Sequence, residues 1–277
     1  LVKKILANSA YGYLGNKQAP MGDDDIAASV TLTGQAVIKQ AAFALKQYLS
    51  EKFDIKDEKT IESSWIYSDT DSLYFSLACI EDKVPIKNNQ GSISADFYSL
   101  VEDIEQHLNK NIKKWGTNTL RSQNCTFKFK RECIGDVGLF LQKKRYVLHS
   151  LDEEGVAAEK FKYVGVSVVR STMPNSIKPH CKKIIETMLL TRSNQTTNKV
   201  INEIYELFKK MPPEEVAVVS GIQNYEAYAA KCTNFQTSKG MPHHVKAAYF
   251  YNTLLDRYGI VQKYESISSG DKLKIVH

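Results

Sequence analysis

Ser64-Trp65-Ile66-Tyr67-Ser68-Asp69-Thr70-Asp71-Ser72-Leu73-Tyr74-Phe75-Ser76-Leu77 is the stretch on which the reading of this chain turns. Its aromatic and aliphatic residues alternate at Trp65 and Tyr67 and again at Leu73, Phe75 and Leu77, with the polar run from Ser68 to Ser72 between them. Period-two alternation interrupted by a polar segment predicts a strand, a turn and a strand. Asp69 and Asp71 then stand one residue apart at a hairpin tip, where a bent backbone can aim one or both carboxylates at a common cation. Magnesium takes hard oxygen ligands, keeps several waters and binds through one or two carboxylates plus substrate phosphates, as phosphoryl transfer requires. A D-x-D turn also reads as a solvated loop with no chemistry.

Working outward, residues 1–12 carry Ile5, Leu6 and Ala10 with Lys4, Asn8, Tyr11 and Gly12 at three- and four-residue intervals, a helical arrangement ending at glycine. A second helix is expected from about Asp25 to Phe53, with Asp23, Asp24 and Asp25 as a solvated acidic first turn rather than a metal site. Downstream, Asn88 to Gly91 form a loop, 96–114 a helix, and 125–134, 138–150 and about 159–169 strands. The middle of the chain thus reads as a sheet with helices on one side, an α+β layout. After Pro174 the pattern becomes helical at 176–192, 198–211, 213–219 and 242–258, with Pro212-Pro213 as a break and a domain boundary near residue 168. No internal repeat or low-complexity segment occurs.

The 277 residues are enough for one large domain or two ordinary ones, and 43% hydrophobic residues allow packed cores, which excludes a disordered or fibrous chain. A formal charge of +6 is compatible with a polyanionic partner without requiring one. The five cysteines are scattered, odd in number and without a C-x-x-C pair, which disfavours a disulfide framework or structural zinc and suggests a reducing, cytoplasmic setting. No apolar run is long enough for a membrane span, and no signal peptide is seen. The chain begins with Leu1 rather than methionine, from which upstream coding sequence is expected.

Three further stretches carry candidate chemistry. In Lys4-Ile5-Leu6-Ala7-Asn8-Ser9-Ala10-Tyr11-Gly12, one helix face offers a cation for a triphosphate, an amide, a ring to lie against a base pair and a glycine that lets a duplex approach. An ordinary amphipathic helix with a glycine stop would look the same. Phe140-Leu141-Gln142-Lys143-Lys144-Arg145-Tyr146 reads as a strand with Lys144 and Tyr146 on one face and Lys143 and Arg145 on the other. Interleaved cations and aromatics suit a nucleic-acid backbone, and a charged edge strand guarding against aggregation is the alternative. Finally, Thr237 to Ala248 joins a loop bearing Lys239 to a helix bearing Lys246. Phosphate contact suits it better than a metal held by the neighbouring His243 and His244, which would point about 100° apart.

Taken in order, these pieces resemble the family B DNA polymerases, most closely the replicative polymerases of T-even-like phages, over nearly the whole chain. The family's K-x-x-x-N-S-x-Y-G motif matches Lys4 through Gly12, and its K-K-R-Y motif matches Lys143 through Tyr146. Its Y-G-D-T-D-S motif matches Tyr67 through Ser72 except that Ser68 replaces glycine. The stretches 239–252 and 263–276 look like the phage-type thumb.

The resemblance implies a palm with an antiparallel sheet and packed helices followed by a mainly helical thumb, divided as the end of the fingers helix at 1–16, palm at 17–167 and thumb at 168–277. It implies nucleotidyl transfer to a primer 3′-hydroxyl with two magnesium ions, manganese being the substitute ion. Asp71 would be the main metal ligand and Asp69 a secondary one, and Thr70 would hold the turn. Lys4 and Asn8 would meet the nucleotide phosphates, with Lys4 also giving a proton to pyrophosphate, and Tyr11 and Gly12 would lie under the nascent base pair. Lys143, Lys144, Arg145 and Tyr146 would grip the primer–template duplex by shape, with Lys239 and Lys246 as further DNA contacts.

The implied partners are primer–template DNA, deoxynucleoside triphosphates, an upstream polymerase segment in the same or a separate chain, and a sliding clamp, with no membrane. The family's other palm motif, D-x-x-S-L-Y-P, which supplies the second metal-bridging aspartate, does not occur here, and neither do the exonuclease motifs. The chain is therefore expected to be a carboxy-terminal fragment, inactive alone. A non-catalytic duplex-binding module is the alternative from another class, and it makes the carboxylates dispensable. A reverse transcriptase would normally read Y-x-D-D at the turn, where here Thr70 separates the aspartates.

Overall fold

The computed structural model describes residues 2–275, with the side chains of Lys4, Ala7 and Asn8 outside that description. In order, the elements are α1 (Val2–Leu14), α2 (Asp24–Phe53), α3 (Glu58–Ser63), β1 (Trp65–Asp69), β2 (Ser72–Phe75), α4 (Ala95–Thr119), β3 (Cys133–Gln142), β4 (Arg145–Glu153) and β5 (Val156–Val164). They continue as α5 (Lys178–Thr191), α6 (Asn194–Phe208), α7 (Pro213–Val216), β6 (Val218–Gly221), α8 (Tyr225–Ala229), α9 (His243–Tyr258) and β7 (Lys272–Ile275). The fold is α+β, with small antiparallel sheets and packed helices. The chain divides into two compact units, Leu1–Lys162 and Tyr163–His277.

In the first unit α2 and α4 pack together. The spacing of Val37, Ala41, Ala44, Leu45 and Leu49 on α2 matches that of Leu100, Ile104, Leu108 and Ile112 on α4, and these residues with Ile80 form one buried cluster. Asp23 caps α2, accepting from the Asp25 and Ile26 amides at 2.8 and 3.1 Å, and Lys17 pairs with Asp24 at 2.9 Å in the solvated first turn. Ser94 caps α4, accepting from the Phe97 amide at 3.2 Å. α1 runs past Gly12 to Leu14, and the chain turns only at Gly15, so the expected stop at Gly12 is displaced by two residues. An isolated glycine lowers helix stability by only about 1 kcal/mol and does not by itself end a helix.

The structure corrects four other expectations. The middle of the chain is not one sheet: β1–β2 and β3–β4–β5 are separate. Residues 125–132 are not strand, because side chains of α4 satisfy their backbone: Asn109 donates to Phe129 O and accepts from Phe129 N at 2.8 and 2.7 Å, and Glu105 accepts from Arg131 N at 2.8 Å. Residues 138–150 are two strands joined by a two-residue turn at Lys143-Lys144, with Gln142 paired to Arg145. Lys144 has φ 60, a left-handed conformation that no continuous strand permits, so the strand faces expected for Lys143, Lys144, Arg145 and Tyr146 do not exist. In the second unit, the helix expected over 213–219 stops at Val216 and the chain enters β6, paired antiparallel to β7 from Val218–Ile275 to Gly221–Lys272. Val216, Val218 and Val219 favour the extended form, and the alternating Lys272-Leu273-Lys274-Ile275 supplies a partner.

Under the β4–β5 turn, where Glu154 and Gly155 both have positive φ, lies the buried carboxylate of Asp152. It pairs with Arg131 and accepts from the Tyr98 hydroxyl at 3.0 Å and the Gly155 amide at 3.1 Å. Burial pushes this carboxyl upward, but the hydrogen bonds from Arg131, Gly155 and Tyr98 outweigh it and hold it below the ordinary carboxylate range.

Candidate active site

The β1–β2 hairpin pairs Tyr67 with Tyr74, Ser68 with Leu73 and Asp69 with Ser72, which leaves Thr70-Asp71 as a two-residue loop. Thr70 takes φ 52, the Asp71 amide donates to Asp69 O at 2.6 Å, and the Ser72 hydroxyl donates to the same oxygen at 3.0 Å. The two carboxylates stand in different surroundings at this tight closure. Asp69, at the end of β1, is 24% exposed and is held by the Thr70 hydroxyl at 3.2 Å and the Lys144 ammonium at 3.7 Å. Asp71 in the loop is exposed, and among the described residues its carboxylate has no recorded hydrogen bond or ion pair.

Lys144 comes from the second two-residue turn, that of β3–β4. Its amide donates to the Tyr67 hydroxyl at 2.8 Å, so the two hairpin tips are joined by a backbone bond as well as by the ion pair. Beneath them the Tyr74 and Tyr146 hydroxyls lie 2.8 Å apart, and the rings of Tyr67, Tyr74, Phe140 and Tyr146 form a cluster with centroids 5.2 to 5.9 Å apart. Burial, and then the bond to Tyr146, push the Tyr74 phenol far above its ordinary value, so it remains a neutral strut at any working pH. Aromatic contacts of this kind add about 0.5–1.5 kcal/mol each beyond their buried area, enough to fix the relative position of two short hairpins.

Asp69, Thr70, Asp71, Lys143, Lys144, Arg145 and Tyr146 are thus brought together. Lys143, Lys144 and Arg145 are exposed at the tip, whereas Tyr146, 6% exposed, is turned inward and cannot lay its ring on a duplex. Tyr11 is 44% exposed on α1, and open space surrounds the Cα of Gly12. Among the described residues no hydrogen bond or ion pair ties α1 to either hairpin. The expectations for Lys4 and Asn8 fall on side chains outside the described ones. In the second unit Lys239 is exposed beside Gly240, which has φ 83, and Lys246 is half-buried on the first turn of α9.

The sequence reading assigned no role to Tyr67, Tyr74 or Phe140. The available signal was that Tyr67 and Tyr74 are cross-strand partners once Thr70-Asp71 is taken as the loop. Among the described residues there is no group of three or more His, Cys, Asp or Glu side chains able to hold a metal. Two hard-oxygen side chains at one tip nonetheless fit magnesium, which needs only one or two protein carboxylates when substrate phosphates and water complete its shell. Lys144 competes for Asp69, which leaves Asp71 the freer donor.

The family model described as DNA polymerase family B matches residues 1–252. The DNA-directed DNA polymerase of Escherichia phage RB69 is 27% identical over 263 residues, covering 90% of this chain and 28% of that protein. That of Enterobacteria phage T4 is 23% identical over 295 residues, covering 100% of this chain and 31% of its own length. A DNA polymerase of Pyrococcus glycovorans is 29% identical over 221 residues, covering 79% of this chain and 23% of its own. The chain therefore spans less than a third of the length of these relatives. No helix among the described residues is long and apolar enough to cross a membrane.

Proposed function

The chain belongs to DNA polymerase family B, and on that footing we propose that it forms the polymerising part of a DNA-directed DNA polymerase working on primer–template DNA and deoxynucleoside triphosphates. The observation that carries this reading is the joining of the Asp69-Thr70-Asp71 tip to the Lys143-Lys144 tip through Lys144, which sets carboxylates for a metal beside cations for a phosphate backbone. In this reading the first unit holds the end of the fingers and the palm, and the second the thumb.

Asp71, with Asp69 beside it, would hold a divalent ion, which when bound supplies charge neutralisation at the reacting phosphate. Thr70 keeps the turn closed and Asp69 oriented. Lys4 and Asn8 would bind the triphosphate, with Lys4 positioned to give a proton to pyrophosphate. Tyr11 and Gly12 present a ring and a bare backbone to the nascent pair. Lys143, Lys144 and Arg145 meet the duplex backbone without reading its sequence, and Tyr146 acts from below by holding their turn. Lys239 and Lys246 add contacts from the second unit. The second metal-bridging carboxylate, which has no motif here, would come from an upstream polymerase segment.

Primer extension tests this reading. With magnesium and all four nucleotides, extension is expected from a mixture of this chain with a segment carrying the D-x-x-S-L-Y-P motif, and not from this chain alone. Absence of extension from the mixture, with manganese as well as magnesium, would overturn the polymerase reading and leave a non-catalytic duplex-binding module. A second measurement addresses the cation tip. Replacing Lys143 and Lys144 together with alanine should weaken duplex binding alike for all sequences and reduce the slope of log affinity against log salt by about 2, since each phosphate contact contributes about 0.9. An unchanged slope would return that turn to a structural role.

A further inference from the structure

The second unit carries a turn whose shape no packing requirement explains. Thr233 and Gln236 are paired across Asn234-Phe235, with the Gln236 amide donating to Thr233 O at 2.8 Å and the Thr233 amide to Gln236 O at 3.2 Å. Both central residues are left-handed, with φ 45 at Asn234 and φ 68 at Phe235. Such turns take Asn-Gly, and a bulky residue in the second position is strained.

Burial would justify that strain, yet Phe235 is 36% exposed and lies outside the nearby core of Cys232, Met241, Val245 and Tyr249. Its ring rests against Phe250, also 36% exposed, with centroids 5.8 Å apart and planes at 33°. The ring is therefore backed by Phe250 and in part open to solvent.

Along the chain on either side of the turn the charge has one sign: between Glu226 and Asp256 no acidic residue occurs, while Lys231, Lys239 and Lys246 do. Lys231 and Lys239 are exposed, and neither takes part in an ion pair among the described residues. A part-exposed ring with such a cation four residues away on either side along the chain suits a base with its flanking phosphates. The ring selects an unpaired nucleotide, because a base inside a duplex has both faces covered by its neighbours. We propose that Phe235 is a stacking platform for an unpaired nucleotide of single-stranded DNA, with Lys231 and Lys239 taking the adjacent phosphates. A template overhang and a frayed primer end share this chemistry, and the inference rests on the polymerase reading above.

The test measures binding of the full 277-residue chain to an oligothymidylate and to a blunt duplex of equal length. Phe235→Gly should weaken oligothymidylate binding by about tenfold, leave duplex binding within about twofold, and not lower the thermal midpoint, since glycine relieves the left-handed strain. Phe235→Trp should retain the single-strand affinity. Oligothymidylate binding unchanged in Phe235→Gly, or weakened no more than duplex binding, would overturn the proposal. In those cases duplex binding by the wild-type chain keeps the polymerase reading standing, whereas a wild-type chain that binds neither DNA removes both. Comparing an overhang with a frayed primer terminus on otherwise identical duplexes then identifies which strand supplies the nucleotide.

Discussion

Asp71→Ala should lower kcat of the reconstituted polymerase by about a thousandfold or more while leaving duplex affinity within about twofold. A carboxylate that holds a divalent ion at the reacting phosphate acts on the transition state, where charge is redistributed, and contributes several kcal/mol there. Among the described residues the same exposed side chain makes no hydrogen bond or ion pair, so its removal leaves none of their buried groups unpaired. Folding and duplex binding should therefore survive, as the protein's thermal unfolding transition and equilibrium titration with duplex DNA would show. Asp69→Ala should cost less in kcat and more in order, because Asp69 also holds the Thr70 hydroxyl and the Lys144 ammonium. Turnover near normal in Asp71→Ala would remove the residue from the chemistry.

Arg131→Ala should destabilise the first unit by about 3 kcal/mol at neutral pH, because it leaves the buried Asp152 carboxylate without its cation. The pH dependence should also weaken. In the wild-type chain the Asp152 carboxyl is held below its unfolded value, so its contribution to stability is complete above the ordinary carboxylate range and is lost as pH falls through the lower native value. Without Arg131, burial is opposed only by the bonds from Gly155 and Tyr98, so the native carboxyl rises from its wild-type value. Protonation then costs the folded state less than in the wild type, and the deficit relative to wild type should narrow as pH falls from 7 toward about 4. Denaturant melts across that range would measure it. A constant deficit would mean that Arg131 contributes by packing alone.

What could be read in advance followed the range of the interactions involved. The periodic apolar faces of α2 and α4 and the acidic start of α2 are set by residues three or four apart, and the structure has these helices at Asp24–Phe53 and Ala95–Thr119. The Asp69-Thr70-Asp71 tip is equally local, since alternation on either side of a polar run leaves few other places for the turn. The stretch 125–132 carries a strand-like alternation of Thr126, Lys128 and Lys130 with Phe127 and Phe129, yet Asn109 and Glu105 on α4 supply its backbone partners. At Lys143-Lys144 neither residue announces a turn. Lys144 adopts its left-handed conformation where its amide meets the Tyr67 hydroxyl, 77 residues away in sequence.

The sequence by itself determined the α+β class, the hairpin tip bearing Asp69 and Asp71 and the family, because helix faces, strand alternation and motif spacing are written within short windows. Tertiary structure decided which cations stand beside the carboxylates, that Tyr146 lies beneath the tip instead of on it, and that Asp69 is engaged while Asp71 has no partner among the described residues. Those facts depend on two hairpins meeting through hydroxyl, amide and ring contacts, and no local periodicity encodes a contact between residues so far apart along the chain.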